Sequence, residues 1–167
     1  MAKLHNILHD CRDHVRKIIY AIEPAAIGEL GERWHAHNTD AGKVTDSAQG
    51  VRVFDVVPVD DMIDKINEGS NTWDYEVPFR LSICYGENEN YNMLIISDYA
   101  SISHALHNAN VGMVSGLNFY LVTGKQTVEM DGKRFSVINF LARVSATFDN
   151  LSINDPDGFG GGGFGGV

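Results

Sequence analysis

LNFYLVTGKQTVEM (117–130) and RFSVINFLARVSATF (134–148) are two nearly equal arms, and the Asp131-Gly132 dipeptide sits between them. Asp-Gly is a strong signal for a two-residue hairpin loop, because the favoured turns need positive φ at both central positions. In the second arm Ile138, Phe140, Ala142, Val144, Ala146 and Phe148 recur every second residue, so one face of that strand is apolar. Gly124 interrupts the first arm. It marks either a bulge that bends both strands or a separate turn over residues 123–126 that splits the arm in two. A long bent hairpin standing out from a small domain suits contact with neighbours better than it suits holding a substrate.

The rest of the sheet and its cover can be read outward from this hairpin. In YEVPFRLSICYG (75–86), Tyr75, Val77, Phe79, Leu81, Ile83 and Tyr85 alternate with Glu76, Pro78, Arg80 and Ser82, as in a half-buried antiparallel strand. VRVFDVVPV (51–59) is rich in β-branched residues, and Pro58 places it at an edge or at a strand end. Leu4, Ile7, Leu8, Cys11, Val15, Ile18, Ile19 and Ile22 form one helical stripe over residues 3–22, which Pro24 prevents from continuing. A second helix is predicted over 92–110, with Ile95, Tyr99, Ile102 and Leu106 as its seam and Gly112 as its C-cap. DDMIDKINEG (60–69) reads as a short helix, capped by Asp60 and stopped by Gly69. The expected fold class is therefore α+β: a mostly antiparallel sheet, two main helices on one face and a long β-hairpin. Residues 1–150 form a single domain. Residues 151–167 form a Gly/Phe-rich tail, read either as frayed or as an arm that anchors Phe159 and Phe164 in a neighbour.

Composition narrows the classes of function. The chain has 167 residues, 44% hydrophobic and 21% charged, enough for one domain with a real core and unlike a disordered chain. No window approaches the roughly 18 apolar residues a membrane helix needs. Lys3, His5, His9, Asp10 and Arg12 break any leader-like run at the start, so a cytoplasmic site of synthesis is expected. The net charge of -9 disfavours a protein that grips nucleic acid. Cys11 and Cys84 lie far apart within apolar patterns and read as buried thiols.

Chemistry is harder to find. RWHAHNTD (33–40) places His35 and His37 two apart, on one side of an extended segment, with Asp40 nearby. A catalytic or structural zinc needs three or four ligands in a defined shell, and this spacing matches no known set, so a contact loop is favoured over a small metal-binding enzyme. The pairs His5/His9 and His104/His107 fall on expected polar helix faces. Asp60, Asp61 and Asp64 suit the N-terminus of the short helix. No phosphate loop, nucleophile elbow or dinucleotide fingerprint occurs, and neither a catalytic set nor a cofactor is expected.

The order of elements does carry a likeness. An N-terminal amphipathic helix and a long loop lead to a strand, then WDYEVPFRLSICYG, then the helix LIISDYASISHALHNA, then GLNFYLV, the Asp-Gly turn and a strand ending ARVSATF. Over about residues 3–148 this resembles the tail terminator (tail completion) proteins of long-tailed, non-contractile bacteriophages. The resemblance implies a virion neck protein, assembled in the host cytoplasm as a hexameric ring. Its neighbours would be the tail tube protein and the head-tail connector or stopper protein, and DNA would pass through its lumen without sequence-specific binding. Another connector or tube subunit would fit the same features. Candidate contact residues are Trp34, His35, His37, Trp73, Asp131, Gly132, Phe159 and Phe164. The insertion at 60–72 and the Gly/Phe tail depart from a minimal member of that family.

Overall fold

The computed structural model describes residues 3–22, 35–36, 52–60, 64–68, 72–86 and 91–147, with backbone alone over 35–36 and 64–68. In chain order these give α1 (Leu4–Ala21), β1 (His35–Ala36), β2 (Val53–Pro58), β3 (Asp64–Glu68), β4 (Thr72–Cys84), α2 (Asn92–His107), β5 (Leu117–Met130) and β6 (Lys133–Thr147). The sheet order is β1-β2-β4-β6-β5, with β3 also pairing β4. Among the described residues only the short β1–β2 pair is parallel. The fold is α+β, as the sequence implies.

The Asp-Gly turn forms as read. Asp131 and Gly132 have φ of 52° and 74°, and Met130 faces Lys133 across the two-residue loop. Both φ values are positive, which an Asp-Gly pair adopts at low cost. Gly124 lies at a register irregularity between Val122 and Gly124 within one continuous strand, so the bulge is the correct alternative and the separate turn is not. The hairpin does not stand out from the domain, however. β6 pairs along its length with β4, from Thr72 opposite Thr147 to Cys84 opposite Phe135. One arm of the hairpin is therefore a central strand and the other an edge.

Val77, Phe79, Leu81 and Ile83 of β4 and Ile138, Phe140, Ala142 and Val144 of β6 are buried in one core with Ile7, Cys11, Val15 and Ile19 of α1 and Leu94, Ile95, Ile102 and Leu106 of α2. Both helices thus cover one face of the sheet. The period of two on the strands meets the three-and-four spacing on the helices in a single layer.

Two expectations are corrected. Residues 64–68 are a strand, with Asp64 opposite Glu76 and Glu68 opposite Trp73. Asp64 therefore begins a strand and not the first turn of a helix, while Asp61 lies outside the described residues. β4 runs farther than β2 can pair with it, and β3 takes up the remaining edge. Gly112 is also not a helix cap: α2 ends at Asn108, whose side-chain amide donates to the His104 carbonyl at 2.8 Å, and Gly112 sits in a single 3₁₀ turn.

Gly116 is the tightest backbone position. Its φ is +88°, and a Cβ there would lie 2.6 Å from the Ser145 carbonyl oxygen and 3.0 Å from Cδ1 of Ile7. Its own carbonyl accepts the Ser145 N–H at 2.7 Å. Gly116→Ala should cost about 2–3 kcal/mol in urea unfolding. Gly124→Ala, where a Cβ meets nothing within 4 Å, should change stability by no more than about 0.5 kcal/mol.

Candidate functional site

Three polar clusters tie the helices to the sheet. Arg52, with no exposed surface, donates from Nε to Oδ2 of Asp98 at 2.8 Å and from Nη2 to Oδ1 at 2.9 Å. The Tyr85 hydroxyl donates to the same Oδ2 at 3.1 Å. This fork joins the start of β2 and the end of β4 to the middle of α2. Arg52 reaches it with φ of 62°, a conformation L residues seldom adopt. Burial, then the adjacent Asp98 charge, pushes the Tyr85 hydroxyl well above its usual range. On the other side, Nη2 of Arg16 donates to Oδ1 of buried Asp55 at 3.3 Å, and the Val56 N–H donates to that same oxygen at 2.8 Å.

The third cluster ties α1 to β5. Nδ1 of His14 lies 3.1 Å from the Tyr120 hydroxyl, which donates to the Cys11 carbonyl at 3.4 Å. Burial pushes the Cys11 thiol up to about 12 and raises the Tyr120 hydroxyl too, so neither is a nucleophile near neutral pH. Each of these clusters serves to dock a helix, and Arg16 also meets the exposed Asp13 carboxylate at 3.6 Å.

The other face of the sheet is different in character. The register places Phe119 opposite Arg143, Leu121 opposite Leu141, Val128 opposite Phe135 and Met130 opposite Lys133. All four β5 residues point away from the helices and are exposed. Leu141 continues this apolar row to Pro78 on β4. Beside it is a groove of about 430 Å³ lined by Val59, Pro78, Arg80, Thr123, Asn139 and Leu141, among others. Arg143 lies over the Phe119 ring at 5.8 Å. At the far end Asn118 donates to Ser145, which donates to Asp74. Val53, Cys84 and Phe135 form a small buried cluster on this same face.

Backbone direction along the edge follows from a few hydrogen bonds. Arg134 donates to the Gly86 carbonyl and accepts from the Tyr85 N–H, whereas Ser145 donates to Gly116. Even-numbered β6 residues therefore turn their backbone toward β4, and odd-numbered ones toward β5. Gly124, Gln126, Val128 and Met130 face odd-numbered residues and bond inward. Lys125, Thr127 and Glu129 turn their N–H and C=O groups outward. No strand among the described residues pairs with that edge.

The sequence-derived contact residues are only partly brought together. Asp131 and Gly132 are exposed at the hairpin tip. Trp73 is half-buried on β4, between Ala146 and Glu68 in register. His35 lies in β1, while its side chain, along with Trp34, His37, Asp40, Phe159, Phe164 and the whole segment 148–167, is outside the described residues. Among the described residues no group of three His, Cys, Asp or Glu side chains is placed to hold a metal, and no helix is long and apolar enough to cross a membrane. His5, His9, His104 and His107 are exposed. Sequence reading missed Phe119, Leu121, Val128 and Met130 as surface groups, because apolar residues in a strand arm read first as core. No protein-family model and no curated protein matches the chain.

Two outcomes test the helix-docking clusters. Asp98→Ala strands the Arg52 guanidinium in the interior and should cost about 3–5 kcal/mol in equilibrium unfolding. His14 is held below the ordinary imidazole value by burial and then by the nearby Lys17 charge. Protonation is therefore easier in the unfolded chain. The contribution of neutral His14 is complete above about pH 6.5 and is lost as the pH falls toward its lower folded value. Stability measured between pH 7 and 5 should decline, and a His14→Phe variant should decline less.

Proposed function

We propose that this chain is a structural subunit of a bacteriophage virion neck, a tail terminator. In this reading it closes into a ring on the head-proximal end of the tail tube and joins the tube to the head connector. It works by contact between subunits, without turnover of a substrate. The observation that carries the reading is the sheet face opposite the helices, where Phe119, Leu121, Val128 and Met130 stay exposed beside the groove at Pro78 and Leu141. The exposed pair Phe119 and Leu121, continued by half-buried Leu141 and Pro78, is an apolar surface of the kind that becomes covered on assembly. The order of helices and strands supports the same family. The net charge of -9 suits a channel through which DNA slides without adhering, since like charges repel phosphate.

Ring closure needs a head-to-tail contact whose rotation returns to its start. The open sheet face, packed on a different surface of the next copy, provides such a contact. Electron microscopy and mass measurement of concentrated protein should show closed six-membered rings that also cap purified tail tubes. Leu121→Lys places a charge in the row between Phe119 and Thr123 on that face and should abolish rings while shifting unfolding free energy by less than about 0.5 kcal/mol. A chain that stays monomeric with and without tubes overturns the reading. Open filaments would instead indicate a tube subunit.

A further inference from the structure

We infer that the outer edge of β5 is a self-complementary docking strand whose partner is the β5 edge of a second copy of this chain, paired antiparallel about a two-fold axis at Thr127. The outward backbone groups belong to Lys125, Thr127 and Glu129. An antiparallel partner centred on Thr127 sets Thr127 against its own equivalent and Lys125 against Glu129, twice by symmetry. Opposite charges directly across a strand pair are favourable, and like charges there are not. A shift of the partner by two residues sets Lys125 against Thr127 or against Asp131 of the turn, and loses both Lys125–Glu129 matches.

The side chains on the open face fit the same register. Gly124 falls beside the partner's Met130, and Gln126 beside the partner's Val128. These residues bond inward to β6, so across the new seam they form the closer, non-hydrogen-bonded pairs. The space above Gly124 is empty to 4 Å and borders the groove lined by Thr123 and Asn139. Met130, exposed on its own chain, fills it from the second copy. On the helix face, α2 brings a further apolar group to this edge. Asn92, Ile96 and Tyr99 lie at helical spacings of four and three, Asn92 accepts from Arg134 at 2.7 Å, and Lys125 sits 5.0 Å from the centre of the Tyr99 ring. Exposed Ile96 therefore lies between these two anchors, above the edge.

The opposite side of the sheet is less suited to this: β1 already pairs the start of β2, and β3 is short with a register irregularity. Val59 donates to the Pro78 carbonyl, so odd-numbered β2 residues bond to β4 and Pro58 faces outward without an N–H to give. Strand addition by a second copy is therefore directed to β5. The contact is isologous and joins two copies only. It uses the half of β5 from Gly124 to Met130, whereas the ring contact rests on the row from Phe119 and Leu121 to Leu141 and Pro78, so loss of this pairing and loss of rings are separate outcomes.

Sedimentation equilibrium of the full chain, with circular dichroism as a folding control, tests the pairing. Wild type should associate pairwise, and Lys125→Glu and Glu129→Lys should each raise the dissociation constant about tenfold or more. An equimolar mixture of those two variants, and the double variant alone, should recover wild-type association, because each restores opposite charges across the seam. Thr127→Pro should abolish pairing with the fold kept, since that N–H serves no bond to β6. Wild type that shows no pairwise step, or single reversals that pair as well as their mixture, would overturn the inference.

Discussion

Everything in this fold is referred to the ladder between β4 and β6, which runs unbroken from Thr72 opposite Thr147 to Cys84 opposite Phe135. Side chains alternate along a strand, so a slip of one residue in this ladder would turn Val77, Phe79, Leu81 and Ile83 to the open face and bring Arg80 and Ser82 under the helices. No compensating slip elsewhere could repair that. The two central strands therefore set which side is core, and the helices, β2 and β5 take their places from them. Phe79 and Phe140, stacked with ring centroids 5.4 Å apart, are a register pair of this ladder and lie at the middle of the covered side.

Given that reference, the helices still need an azimuth. Hydrophobic contact alone is non-directional, and a stripe of Ile, Leu and Val could settle in more than one rotation. The buried polar groups remove that freedom. Asp98 can meet Arg52 and Tyr85 only when α2 presents one line of its surface, and His14 meets Tyr120 only at one rotation of α1. Such groups add little net stability once their desolvation is counted. Their effect is to make competing packings costly, because any other rotation leaves a carboxylate or guanidinium buried without its partner.

These same groups mark the limit of what the sequence made legible. The hairpin could be read because its information is local: Asp131-Gly132 for the turn and a period of two in β6. α1 could be read because its stripe is long and Pro24 ends it. Nothing local joined Arg52 to Asp98, forty-six positions apart. The available signal was weaker: a carboxylate at 98, among the seam residues Ile95, Tyr99 and Ile102, where a charged residue without a buried partner is rarely found. His14, beside Val15 and between Cys11 and Ile18, was a similar signal. β3 is hidden in the sequence because Asp60, Asp61 and Asp64 imitate a helix start, while the cause of the strand is tertiary. β4 continues past the end of β2 at Pro58, and its edge from Trp73 to Glu76 takes β3 as its partner.

The prolines show how unevenly the sheet treats its edges. Pro78 sits inside β4, where a missing N–H would ordinarily break a ladder. Its backbone points to the side where Val59 closes the β2 pairing, and neither β2 nor β3 offers a register partner at that position, so no strand bond is lost. Pro58 ends β2 in the same way and blunts the outer edge there. β5 has no proline and carries its bulges near Asn118 and Thr123, which leaves the stretch from Gly124 to Met130 regular. A single lysine at an edge acts as a guard against unwanted pairing. In the proposed pairing a lysine and a glutamate equally spaced about a central threonine act differently, because they match their own antiparallel image. An isologous contact of that kind is saturated by two chains. In the ring proposed for this chain, growth would have to come from a surface with a different geometry, and the apolar row from exposed Phe119 and Leu121 through half-buried Leu141 to Pro78 lies on the open sheet face, where pairing at the β5 edge leaves it accessible.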